Sequence, residues 1–169
     1  MSADDYAGAA TPEEVDSAIL TRILAEGYGP GAWHGPDLKT AISDVSTDLA
    51  FWRSSPDRHN IAEIVVHHAY QVHSVRERLI TEPVDPFPLE GDDWFQLLGT
   101  GGLSWPQILV LLDSEYQELS ALVADIAEGK VVSALPEKDV FNLVLGITCH
   151  AVYHAGQIQL IKLQALGEA

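Results

Sequence analysis

Two histidines near the end of the chain, His150 and His154, stand four residues apart in a run where Leu143, Ile147, His150, His154, Gln157 and Ile161 recur at three- and four-residue spacing. On an α-helix these six positions form one stripe, and its apolar ends predict that the stripe faces a core. Imidazoles one turn apart are separated by about 6 Å along the axis, so one helix can offer two nitrogen ligands to one metal ion. A lone core-facing histidine is usually a hydrogen-bonded core residue. Two on one stripe are harder to place that way, because each must be desolvated and still find partners for two ring nitrogens.

A third ligand has to come from another helix, and the segment Val65-Val66-His67-His68-Ala69-Tyr70 offers two. His68 shares a helical line with Ile61, Ile64, Val65, Val72 and Val75, whereas His67 lies one step round, with Ile64, Tyr70, Gln71 and Ser74. Periodicity leaves both open. Three neutral imidazoles would leave a divalent ion its full charge and at least one open position, the layout of catalytic sites. Such an ion lowers the pKa of a bound thiol or water. All-nitrogen ligation suits zinc, nickel, copper or iron.

Other polar residues have competing readings. Gln157, one turn beyond His154, is a candidate substrate-binding or orienting residue, or simply satisfies a backbone group. Glu63, one turn before His67, could accept that ring's N–H, but a capping or solvated carboxylate is the simpler expectation. Cys149 adjoins His150 yet points about 100° away round the helix, and is expected to be buried as a small hydrophobe. His34, His59 and His73 are expected at the surface or at caps, and Asp113 and Glu115 on the solvent edge of their helix. No Ser-His-Asp set and no phosphate-binding glycine loop is visible.

The elements that must position these residues are helical almost throughout. Thr11-Pro12-Glu13-Glu14 reads as an N-cap with proline in the first turn, followed by Val15, Ile19, Leu20, Ile23 and Leu24 up to Gly27. Leu38, Ile42, Val45, Leu49 and Trp52 predict one helix or two short ones, ended by Pro56. A helix follows from the cap Asn60 to about Glu82. Ser104-Trp105-Pro106-Gln107 opens another, ended by Gly129, and Pro136 and Asp139 introduce the last, to about Leu166. Between Pro83 and Leu103 the pattern breaks up around Phe87, Trp94 and Phe95. That connection is longer than an antiparallel hairpin needs, so a crossover between parallel helices, usable as a lid, is expected. Four long amphipathic helices around one core, an all-α four-helix bundle, is the economical architecture.

The residues that carry this reading also resemble a known family. His59-Asn60-Ile61-Ala62-Glu63-Ile64-Val65-Val66-His67, then His150-Ala151-Val152-Tyr153-His154-Ala155-Gly156-Gln157-Ile158, is similar to the signature of the DinB-like (YfiT-like) superfamily. Trp33-His34-Gly35-Pro36-Asp37-Leu38 and the Trp105-Pro106 helix start extend the likeness over nearly the whole chain. The resemblance implies an up-down-down-up bundle over a single domain, 1–169, with a flexible N-terminus at 1–10. It implies a divalent ion, nickel or zinc, on three histidines. Position by position these are His67, His150 and His154, since the family has an apolar residue where His68 stands. It further implies a homodimer, and an enzyme that activates a low-molecular-weight thiol such as bacillithiol or mycothiol for transfer to an electrophile. The alternatives are a hydrolase using metal-bound water, or a metal-binding bundle without catalysis.

Composition narrows the partners. The 169 residues include 25 Asp+Glu against 9 Lys+Arg, a net charge of −16, and 47% are hydrophobic. Enough apolar side chain is present for a core, and so negative a surface argues against nucleic acid and against anionic membranes. One cysteine excludes an internal disulfide framework. The first residues show neither a basic region nor an apolar run, and no apolar stretch reaches spanning length, so a cytoplasmic location is expected.

Overall fold

The computed structural model describes residues 12–91, 93–97 and 102–167, with side chains from residue 19 onward. The expected Thr11 cap, the segment 1–10 and the Val15 side chain lie outside the described residues. Six helices are described: α1 (Pro12–Tyr28), α2 (Leu38–Ile42), α3 (Thr47–Phe51), α4 (Ile61–Leu79), α5 (Trp105–Ala127) and α6 (Glu137–Gly167). Among the described residues there is no strand.

Local chemistry sets the boundaries. The Asn60 side chain accepts the Glu63 amide at 2.8 Å and starts α4, whose last turn carries Arg76 and Arg78 against the negative end of the helix dipole. Gln107 Oε1 accepts the Ser104 backbone N–H at 2.9 Å, and Pro106 occupies the first turn of α5, where its missing donor costs nothing. The run from Leu38 to Trp52 resolves into two short helices because each has its own cap. Asp37 accepts the Thr40 amide at 2.8 Å, and Ser46 accepts that of Leu49 at 3.3 Å. The Asp37 carboxylate also takes the Gly31 amide, and it fills the space beside Gly29 so closely that a Cβ there would fall 2.1 Å from the carboxyl carbon. With φ at +90°, that position requires glycine.

The four long helices pack so that α1 lies on α6 and α5, and α4 on α5 and α6. Their relative directions follow from paired contacts. His73 meets Glu115 and Arg76 meets Glu118, so α4 and α5 run parallel. Thr148 bonds the Ile23 carbonyl, and a Cβ on Gly27 would meet Ala151, so α1 and α6 are parallel and closely approached. The Ala134 amide, just before α6, bonds the carbonyl of Leu79 at the end of α4, whereas Ile64 sits beside Leu160 and Ile161, so α4 and α6 are antiparallel. Residues 80–104 therefore form a crossover from one end of the bundle to the other.

Two apolar clusters fill the interior. At one end Ile61, Val65, Trp105, Ile108, Ala155 and Ile158 pack with the small helices, which Trp105 ties in by donating its indole N–H to the Val45 carbonyl at 2.9 Å. At the other end Leu20, Leu24, Leu79, Leu119, Val123, Val140 and Val144 pack together. Truncating a fully buried member such as Ile108 would cost about 2–5 kcal/mol.

Candidate metal centre

His67, His150 and His154 converge between antiparallel α4 and α6, one ligand atom from each lying within 4.8 Å of the others. The Nε2 of His150 is 3.1 Å from that of His67 and 3.0 Å from that of His154. His67 and His154 are 5% and 2% exposed, and His150 is half-buried. The stripe predicted to face the core runs along its margin instead. Ile147 and His154 of that stripe are buried with Val144, Ala151, Ala155 and Ile158, whereas Leu143, His150, Gln157 and Ile161 are half-buried.

The outer nitrogens of two rings are committed as donors. His67 Nδ1 lies 2.8 Å from the Asp93 carbonyl oxygen and 3.1 Å from the Asp93 carboxylate; both only accept, so this nitrogen carries the proton. Asp93 reaches it from a left-handed backbone conformation, φ 49°, and its carboxylate is in turn held by the Gln71 amide. His154 Nδ1 donates to Gln157 Oε1 at 2.6 Å, and Gln157 Nε2 donates to the Tyr153 hydroxyl at 3.0 Å. Both rings therefore turn Nε2 lone pairs toward His150. The Nδ1 of His150 lies 2.9 Å from that of His68, so a Nδ1–H on His150 completes a third inward lone pair. Burial, with the neighbouring rings adding repulsion, holds His150 down to about 4; His154, buried likewise, also falls to about 4 although Gln157 opposes the shift. Neutral imidazoles with lone pairs on one point are a donor set that fits a divalent transition ion. The separations of 3.0–3.1 Å that His150 makes to the other two suit neighbouring ligands of a coordination shell about 2.1 Å in radius.

His68 is buried, and desolvation, with repulsion from His150, His154 and His67, pushes its pKa well below the ordinary value. It braces the back of His150 and does not belong to the inward set. Glu63 is also buried but does not touch His67. Its carboxylate takes both guanidinium nitrogens of Arg53, the Leu97 amide at 3.0 Å and His59 at 3.2 Å. The expectation of a solvated or capping side chain, or of a partner for His67, is corrected: its backbone is capped by Asn60 while its carboxylate clasps two loops.

Three further expectations fail. His73 is buried, 3% exposed, and Glu115 7%; they face each other across parallel α4 and α5 with Arg76 bonded to Glu115 at 2.6 Å. Cys149 is exposed, because the outer face of α6 is itself apolar, with Phe141, Leu145, Tyr153 and Leu163 open to solvent. Of the remaining histidines, His34 is exposed near the Glu26 carbonyl, and His59 stacks on Trp94.

Sequence reasoning missed Asp93 altogether and gave Trp94 only a general covering role. Trp94 lies flat on His67, ring centroids 3.9 Å apart and planes 2° from parallel, with His59 on its other face at 3.8 Å. Phe87 and Phe95, grouped with it in the expected lid, pack inward against Tyr70. Periodicity carries no signal for loop residues of this kind. No helix among the described residues is long and apolar enough to cross a membrane.

A family model for the DinB superfamily matches residues 32–158, most of the chain, and takes in all three histidines. No curated protein and no solved structure matches.

Proposed function

The chain belongs to the DinB superfamily, and from that premise we propose that it holds a divalent transition metal, zinc or nickel, on His67, His150 and His154 and is a metal-dependent S-transferase for a low-molecular-weight thiol. The observation that carries the metal reading is the convergence of three ring nitrogens within 4.8 Å, two of them on rings whose other nitrogens are donors to Asp93 and Gln157. When bound, the ion would supply a 2+ charge that favours the thiolate over the thiol near neutral pH.

The chain's own residues do the rest. Asp93 and Gln157 keep protons at Nδ1 of His67 and His154 and so keep the inward nitrogens basic. Trp94 shields one face of His67 from water. The two other candidate ligands, His68 and Glu63, are engaged elsewhere, His68 behind His150 and Glu63 with Arg53, which supports a site with room for a nucleophile. A cytoplasmic setting, where such thiols are kept reduced, and the pairing of two copies through the exposed apolar residues of α6 belong to the same reading.

The test is metal analysis of untagged protein beside the variant with His67, His150 and His154 all changed to Ala, followed by turnover of 1-chloro-2,4-dinitrobenzene with bacillithiol, mycothiol or no thiol. One metal per chain, lost in the variant, with thiol-dependent turnover is expected. A chain that takes up neither zinc nor nickel refutes the site. Metal-dependent hydrolysis of an ester substrate in the absence of thiol would make water the nucleophile and refute S-transfer.

A further inference from the structure

A cleft of about 400 Å³ borders the triad. Two of its walls are residues that touch the histidines: Trp94, stacked on His67, and Gln157, bonded to His154. Ile64 with Leu160 and Ile161 of α6 give its lining an apolar stretch, and Arg58, Ser54 and Gln164 are polar residues of the same lining. The chain has 9 cationic side chains against 25 acidic ones, and six of the nine are ion-paired: Arg22, Lys39, Arg53, Arg76, Lys130 and Lys162. Arg58 is one of the three that pair with no carboxylate among the described residues. Its backbone is nevertheless pinned, because its carbonyl accepts from Arg53 at 2.6 Å and its amide bonds Ser55 at 3.1 Å. Arg53 meanwhile neutralises Glu63, which lines the adjoining pocket together with Asp57 and Arg58.

An exposed guanidinium without a carboxylate partner, beside a cleft of mixed lining on a surface otherwise negative, selects by charge. Guanidinium recognises carboxylate with two parallel hydrogen bonds, and the surrounding negative charge repels anions from every other approach. We infer that this cleft binds a small carboxylate with an apolar body, its carboxylate on Arg58 and its body against Leu160, Ile161 and the free edge of Trp94. This is the substrate class of the proposed transferase, so the inference rests on that reading for its chemistry, though its binding test does not.

The test titrates 3-phenylpropionate and its uncharged amide, by ligand-observed NMR, into the full chain in zinc-loaded and chelator-stripped forms. The acid should bind about five- to twentyfold tighter than the amide in both forms, the range of a charge-assisted hydrogen bond at a partly exposed site. Arg58→Gln should bring that ratio close to one, and Leu160→Ser should weaken acid and amide alike. Equal binding of the two, binding of neither, or a ratio unchanged in Arg58→Gln overturns the inference. A ratio that disappears on stripping the metal but survives Arg58→Gln puts the carboxylate on the ion, and overturns it as well. If the protein takes up no metal at all, the stripped form still reads the cleft, so the two proposals fail separately.

Discussion

Gln157→Leu isolates the part of the site that controls which nitrogen of His154 is basic. The amide oxygen accepts His154 Nδ1–H at 2.6 Å, on a ring only 2% exposed. Leucine keeps roughly the bulk and removes the acceptor. The ring is then free to carry its proton on Nε2, where it blocks the lone pair that faces His67 and His150. A net hydrogen bond of about 1.5 kcal/mol, the upper end for so short a contact, corresponds to roughly tenfold in metal affinity. Loss of ring orientation extends this toward the hundredfold typical of groups that orient metal ligands. The stability of the metal-free fold should fall by only about 1 kcal/mol, because a neutral imidazole without metal can choose either tautomer. The assay is competition for zinc against a chromophoric chelator at pH 7.5, beside urea unfolding of the stripped protein. Gln157→Glu, which keeps an acceptor, should stay within a few-fold of wild type. Zinc affinity within twofold of wild type in Gln157→Leu would refute the reasoning. So would an affinity loss that unfolding of the stripped protein fully accounts for.

Three other perturbations separate stability from function. Burial raises Glu63, but Arg53, the Leu97 amide and His59 outweigh it and bring its pKa below the ordinary 4.5. Its contribution to stability is therefore present above the unfolded value and is lost as pH falls through the lower folded value, so Glu63→Gln should flatten the acid limb of stability against pH; an unchanged acid limb would contradict this. Glu115→Ala leaves Arg76 and His73, both on α4, without their shared partner on α5 and with only Glu118 and Glu77 near them, and should cost about 3 kcal/mol in urea unfolding without changing metal stoichiometry. Cys149, being exposed, should react with Ellman's reagent in the native state at a rate close to that of the unfolded chain, and Cys149→Ser should retain full metal content.

Helix starts were legible where they are written in local chemistry, as at Asn60 and Ser104, each of which announces a cap within three residues; the Asp37 cap of α2 was not read. The His150–His154 pair was legible from one turn of spacing. The choice between His67 and His68 was not, since both are buried and the difference is which way the ring nitrogens point. The buried meeting of His73, Arg76 and Glu115 depends on the register of two parallel helices, which neither helix encodes alone. Cys149 was misjudged because α6 is apolar on its outer side too, so apolar neighbours stop signalling the interior. Asp93 and Trp94 sit in a non-repeating segment whose path is fixed by what it crosses.

The parallel pairing of α4 and α5 imposes a travel distance on the chain. Having descended the 19 residues of α4, the backbone must climb about 28 Å to begin α5 beside it. Fully extended, roughly nine residues would cover that distance. Residues 80–104 number 25, so well over half the connection is slack relative to the shortest route. That slack is raw material. It supplies Asp93 and Trp94 to the side and face of His67 and the Leu97 amide to Glu63, without taking a residue from any helix. The same surplus can be re-cut to reshape the cleft while the four helices keep their register, so substrate range in this architecture can change by loop exchange with the donors on α4 and α6 left untouched.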